Sequence, residues 1–138
     1  ASPEVLANLE EDPNYSFIKG NICDFGVLQE LFDTYKPDSV LHLAAESHVD
    51  RSIQNPDAFI QTNVNGTYNL LQAALAYFQK ERKDHFRFIQ ISTDEVYGSL
   101  GIDAPPFTEA SPYRPNSPYA ASKAAANHVF EENLNPEK

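Results

Sequence analysis

Hydrophobic and polar positions change period several times along this chain, and each change marks an element. Tyr15 to Ile22 (YSFIKGNI) is a β-prone run that follows the turn signal Pro13-Asn14. Phe25 to Tyr35 (FGVLQELFDTY) spaces Leu28, Leu31 and Phe32 at helical intervals, and Lys36-Pro37-Asp38 ends that pattern. Ser39 to Ala45 (SVLHLAA) is almost continuously apolar, as a parallel strand covered on both faces would be. Glu46 to Gln54 reads as a loop. Asn55-Pro56-Asp57 then reads as an N-cap, a proline at the first helical position and an acid in the first turn. The helix it opens is predicted to reach Lys80, with Phe59, Val64, Leu70, Leu71, Ala74, Leu75 and Phe78 as its apolar stripe. Phe86 to Ser92 (FRFIQIS) is a further strand. Pro105, Pro106, Pro112 and Pro115 punctuate a loop, and Ser117-Pro118 opens an Ala-rich helix from Tyr119 to Glu132. The order β-α-β-α-β-loop-α predicts an α/β fold, a parallel sheet with helices on both faces. Ligands of such sheets lie at the carboxyl ends of the strands.

The chain's 138 residues suit one domain, and 41% hydrophobic against 22% charged residues marks it as globular. Ten basic against twenty acidic residues give a formal charge of −10, which excludes a nucleic-acid polymer or an anionic membrane as main partner. No run approaches the roughly 18 apolar residues of a membrane span, and the acidic N-terminus is no signal peptide. The single Cys23 fits a reducing, cytoplasmic setting. Gly20, Gly26, Gly66, Gly98 and Gly101 are the only glycines, and no two form G-x-G. Neither Gly-rich phosphate-binding loop is therefore present in the chain.

Three polar clusters fall at the predicted strand ends: Gly20 to Asp24, Leu43 to His48, and Ser92 to Glu95. The second candidate constellation is Tyr119-x-x-x-Lys123, whose i, i+4 spacing puts both side chains on one helix face. A free tyrosine titrates near pH ~10, and a neighbouring ammonium favours its phenolate, which suits a base acting on a hydroxyl. A surface pair on a helix is the plain alternative. Ser92-Thr93, upstream, supplies hydroxyls for the same substrate oxygen. Glu46, His48 and Asp50 alternate but lack further ligand spacing, so no metal site is expected. His42 is expected to be a core histidine, with His85 and His128 at the surface. A Ser-His-Asp hydrolase would need a G-x-S-x-G elbow, which is lacking.

Leu43-Ala44-Ala45-Glu46-Ser47-His48-Val49-Asp50-Arg51-Ser52, Thr62-Asn63-Val64-Asn65-Gly66-Thr67, Ser92-Thr93-Asp94-Glu95-Val96-Tyr97-Gly98 and Ser117-Pro118-Tyr119-Ala120-Ala121-Ser122-Lys123 follow one another in the chain. Together they resemble the extended, sugar-nucleotide-modifying branch of the short-chain dehydrogenases/reductases, and within it the dTDP-glucose 4,6-dehydratase family. The Thr-Asp-Glu triplet discriminates, since related epimerases, decarboxylases and GDP-mannose dehydratases usually differ there. The resemblance implies NAD as cofactor, dTDP-glucose as substrate and a Rossmann-like domain. Tyr119 would take the sugar O4 proton, Lys123 would bind the nicotinamide ribose and keep the phenol acidic, and Thr93 would hold O4. Glu95 would remove the C5 proton and a protonated Asp94 would donate to the departing C6 hydroxyl. Asn21 and Ile22 would flank the adenine, Leu43, Ala44, Ala45, Glu46 and Ser47 would line the phosphates and nicotinamide, and Thr62 would contact NAD. Ser47 would also touch the substrate. The family usually carries Asp at the position of Asn21, which weakens the adenine contact without removing its acceptor.

Adjacent strand residues point to opposite faces, so Asp94 and Glu95 can share one sugar only if the backbone leaves strand geometry at Asp94. Measured against the family, residues 1–138 read as a partial NAD-binding Rossmann domain without its first β-α unit and without the substrate domain. A homodimer through the helices at 55–80 and 118–132 is implied as well. The alternatives are a related epimerase or decarboxylase, or a catalytically silent fold or dimerisation remnant.

Overall fold

A computed structural model describes residues 9, 11–81 and 84–133. Expectations placed on the tail beyond Asn133 lie outside these residues. Helix α1 spans Phe25–Tyr35, with the bounds its periodicity predicts. Asp24 caps it by accepting from Val27 N, and the chain leaves through Lys36 in the left-handed conformation, whose N–H closes on Phe32 O. Strand β1, Ser39–His42, follows, and strand β2, Arg87–Gln90, pairs with it in parallel, Ser39 opposite Arg87 and His42 opposite Gln90. A parallel pair needs a long crossover. Here it contains α2 (Val49–Gln54), α3 (Pro56–Phe59), a π-helical segment (Ile60–Gly66) and α4 (Thr67–Glu81). Beyond β2 come a 3₁₀ turn, Asp94–Tyr97, and helix α5, Pro118–Asn133. The architecture is a Rossmann-type α/β arrangement, rich in helix, with a small parallel sheet of two strands among the described residues.

The core lies where α1 and α4 cross the sheet. Leu28, Phe32, Leu70, Ala73, Ala74 and Tyr77 are buried together, with Ile22, Val40, Phe86 and Phe88 packed against them. The Phe32 and Tyr77 rings meet at 5.2 Å, and Tyr77 Oη donates to Pro37 O at 3.0 Å. An aromatic hydroxyl at a core edge finds a partner in this way rather than remaining orphaned.

Several expectations are corrected. Residues 15–21 form no strand, because neither β1 nor β2 pairs with them, and a strand exists only through its ladder. The apolar run at 39–45 is not covered on both faces among the described residues. Val40 and His42 face the helices, while Leu41, Leu43, Ile89 and Ile91 are exposed. The loop expected at 46–54 contains α2, whose Ser52 is fully buried and donates to Val49 O at 2.6 Å. Asn55 stands before Pro56 as expected but makes no side-chain cap bond. The helix from 56 to 81 is not uniformly α-helical. Its π-helical middle rotates the stripe, so Asn63, Gly66, Thr67, Ala73 and Tyr77 are buried while Phe78 is exposed.

Gly66 lets the Ile22 side chain close directly on the π segment. A Cβ would stand 2.6 Å from Ile22 Cδ1. The turn at residues 21–24 is held against this segment by Cys23 Sγ donating to Gln61 O and by Asn69 Nδ2 donating to Cys23 O at 3.0 Å.

Candidate functional site

The residues singled out from the sequence come from five stretches gathered around the π segment and α5. Asn21 is exposed, its Oδ1 accepting from Cys23 N at 3.0 Å, and Ile22 is half-buried against Gly66. Leu43, Ala44 and Ser47 are exposed beyond the end of β1, Ala45 and Glu46 half-buried, and Thr62 half-buried on the π segment. That open strand end supplies both apolar surface and backbone polar groups, as a dinucleotide would require.

After β2 the backbone leaves strand geometry where the shared use of two adjacent carboxylates requires. Thr93 is extended, and its hydroxyl accepts from Glu95 N at 3.3 Å, capping the 3₁₀ turn that starts at Asp94. Asp94 and Glu95 are both exposed. Gly98 ends the turn with φ 92, donating to Glu95 O at 3.0 Å. A cleft of about 360 Å³ is lined by Ser92, Thr93, Asp94, Val96, Tyr97, Tyr113 and Asn127. Glu95, Tyr119 and Lys123 are not in its wall. A separate apolar groove of about 310 Å³ between α4, β2 and the end of α5 contains none of the candidate residues.

Ser117 caps α5 as its position predicts, accepting from Ala120 N at 3.0 Å. Tyr119, half-buried in the first turn, meets Phe59 edge-on at 6.4 Å. Lys123 is 5% exposed, and its Nζ donates to Ile91 O at 2.6 Å. This partner, not the Tyr119 phenol, takes the ammonium's hydrogen bond. Burial lowers the Lys123 pKa. The contact ties α5 to the carbonyl two residues before Thr93, so the helix and the 3₁₀ turn are placed together.

His42 is the core histidine expected, 3% exposed, with Nε2 3.0 Å from Thr67 Oγ1. Thr67 gives its single hydroxyl proton to Asn63 O at 2.7 Å, so the histidine is the donor and carries its proton on Nε2. Burial, and secondarily the Lys123 charge, push its pKa down to about 4. His128 is exposed beside Tyr113, and His85 is exposed as well. Among the described residues no three His, Cys, Asp or Glu side chains gather to hold a metal. No helix among them is long and apolar enough to cross a membrane.

Three buried or half-buried polar residues that no sequence motif singles out, Asn127, Asn63 and Ser122, brace the site. Asn127 Nδ2 donates to Ser92 Oγ at 2.7 Å and to Tyr113 Oη at 3.1 Å, bracing the cleft wall. Asn63 joins Glu46 to Ser122. A buried Asn inside a helix otherwise read as apolar was the available signal, since such a group is kept only where its hydrogen bonds are met.

The family model described as GDP-mannose 4,6 dehydratase matches residues 3–134. The chain belongs to this family. Within it, the chain is 52% identical over 134 residues to the dTDP-glucose 4,6-dehydratase of Haemophilus influenzae, covering 95% of this chain and 40% of that protein. The dTDP-glucose 4,6-dehydratase of Neisseria meningitidis is 54% identical over 129 residues, covering 91% and 36%. The structure of DesIV, a dTDP-glucose 4,6-dehydratase from Streptomyces venezuelae solved with NAD bound, superposes with a TM-score of 0.83 at 45% identity, covering 95% and 38%. The UDP-Glc/GlcNAc 4-epimerase of Campylobacter jejuni gives 0.82 at 29% identity, covering 96% and 38%. The fold is thus common to dehydratases and epimerases, and the chain spans about 40% of the length of the Haemophilus relative.

Proposed function

We propose that this chain is the cofactor-binding and catalytic segment of an NAD-dependent dTDP-glucose 4,6-dehydratase, residues 1–138 forming part of its Rossmann domain. The observation that carries the reading is the Thr93-Asp94-Glu95 triplet on a 3₁₀ turn, tied through Ile91 O to the helix bearing Tyr119 and Lys123. Identities of 45–54% to these dehydratases, against 29% to the epimerase, support dehydration over epimerisation.

NAD, when bound, supplies the acceptor for a hydride from C4 and its donor to C6. Asn21 and Ile22 flank its adenine, and Leu43, Ala44, Ala45, Glu46, Ser47 and Thr62 line its phosphates and nicotinamide. Ser47 also reaches the substrate. Lys123, one turn along α5 from Tyr119, binds the nicotinamide ribose. Tyr119 takes the sugar O4 proton while Thr93 holds that oxygen. A C4 ketone makes the C5 proton acidic. Glu95 removes it, Asp94 protonates the C6 oxygen as water leaves, and Glu95 gives the proton back to C5 as C6 is reduced. One carboxyl must be ionised and the other protonated, so substrate binding has to set the two environments apart. A cytoplasmic homodimer completes the proposal. Cys23 is free, and Ile60, Tyr68 and Phe78 are exposed on the helix at 55–80.

The test is turnover of dTDP-glucose by the intact protein, read by mass as loss of water. Tyr119→Phe and Glu95→Gln are each expected to lower turnover about 10²–10⁴-fold with unchanged circular dichroism. Near-parent activity in either variant removes that residue from its role. A product of unchanged mass makes the protein an epimerase.

A further inference from the structure

We infer that Asn21 presents a hydrogen-bond donor to the purine edge of the dinucleotide, so that the site takes a 6-oxopurine dinucleotide at least as well as NAD. The inference rests on the functional reading above, which sets Asn21 beside the adenine, and deepens it by stating which base edge this side chain can recognise.

Asn21 opens the turn that leads into α1, and half of its carboxamide is already committed. Cys23 N–H donates to Oδ1 at 3.0 Å. A backbone N–H can only donate, so the oxygen faces the turn and Nδ2 faces away from it. The turn is held on several sides and cannot readily shift to release that oxygen. Asp24 N donates to Asn21 O at 2.9 Å, Cys23 Sγ donates to Gln61 O at 3.2 Å, and Asn69 Nδ2 donates to Cys23 O at 3.0 Å. Asp24 also caps α1 through Val27 N, and Ile22 closes on Gly66. Every residue of the turn after Asn21 is thus tied to the π segment, α4 or α1. Asn21 itself is exposed, and its Nδ2 has no hydrogen-bond partner among the described residues.

Adenine carries an amino group at purine C6, a donor, whereas a 6-oxopurine carries an acceptor at the same place. An aspartate at this position would bring two acceptor oxygens, one for Cys23 N–H and one for the amino group. Asparagine has a single oxygen, and the turn takes it. Toward adenine the remaining Nδ2 sets donor against donor, while toward a 6-oxopurine it donates. Turning the amide over to suit adenine moves the conflict to Cys23 N–H, which the anchored turn keeps in place.

The experiment titrates the intact protein, freed of bound cofactor, with NAD and with nicotinamide hypoxanthine dinucleotide, in the parent and in Asn21→Asp, by calorimetry. The parent is expected to bind the hypoxanthine form as tightly as NAD or tighter. Asn21→Asp keeps the acceptor the turn uses and adds a second, so the ratio of the two affinities should move about tenfold toward NAD. The added negative charge acts on both dinucleotides alike and cancels in that ratio. A parent that binds NAD about tenfold or more tighter than the hypoxanthine form overturns the inference while leaving the contact with the base intact. A ratio of one in both proteins places residue 21 away from the purine edge, and the reading of Asn21 as an adenine neighbour then falls together with the inference. Should Asn21→Asp fail to fold, the parent's own preference still decides. Failure of the catalytic reading has a different signature, an active Tyr119→Phe, and is scored separately.

Discussion

Gly98 is the position where one added carbon should disturb both the fold and the candidate site. Its φ of 92 and ψ of −149 fall in a region essentially reserved for glycine. Forcing alanine there costs about 1–3 kcal/mol in backbone strain alone. The new Cβ would also stand 2.4 Å from Arg114 O, a backbone atom that cannot rotate away. Arg114 can retreat only by stretching its N–H bond to Val96 O, now 2.9 Å, which adds about 1 kcal/mol. The sum is about 2–4 kcal/mol, or a fall in melting temperature on the order of 10 °C for a domain of this size. Gly101 provides the internal control. A Cβ added there would meet nothing within 4 Å and no left-handed φ is required, so Gly101→Ala should melt within a few degrees of the parent. Differential scanning calorimetry of both variants checks the pair. A Gly98→Ala melt close to the parent's, or an equal loss in Gly101→Ala, would refute the strain argument. Because Gly98 N–H holds Glu95 O, turnover should fall in Gly98→Ala even below its melting transition.

The His42 environment predicts a pH dependence. Its pKa of about 4 in the fold lies below the ordinary 6.5, so the unfolded chain takes up the proton first as pH falls. The stability that neutral His42 contributes is complete above pH ~6.5 and is lost between there and pH ~4, amounting to about 2 kcal/mol by pH 5. Urea midpoints at pH 7 and pH 5 measure it, and His42→Gln should flatten the difference; an unchanged slope in that variant removes His42 as the cause. Asp24→Ala deletes the α1 cap to Val27 N and should cost about 1 kcal/mol, a few degrees in a thermal melt. No change would mean that water or a neighbour replaces the cap.

What the sequence made legible followed from local rules. The limits of α1, the Ser117 cap of α5 and the parallel pairing of the runs at 39–45 and 86–92 all follow from periodicity and cap chemistry acting over a few residues. The run at 15–22 misled because β propensity describes a residue's fit to a ladder, and the described chain has no ladder there. Helix α2 was hidden for a related reason. Val49–Gln54 has one buried residue, Ser52, and no apolar stripe, so only its packing against α5 and α3 keeps it helical.

The π segment has a deeper cause, and the placement of the site follows from it. An α-helical reading of 55–80 puts Phe78 on the buried stripe and Asn63 off it, whereas the structure exposes Phe78 and buries Asn63. Widening the helix over Ile60–Gly66 brings a carboxamide to Glu46 and Ser122, and Gly66 lets Ile22 close on the widened turn. Apolar periodicity cannot predict this, because the driving force is the satisfaction of buried polar groups, each costly to leave unpaired. The same reasoning applies to Lys123. Its spacing from Tyr119 was legible, but its hydrogen bond to Ile91 O depends on how closely α5 approaches β2. Buried polar side chains that have no place in a helix's apolar pattern are therefore the residues most informative about how this site is assembled.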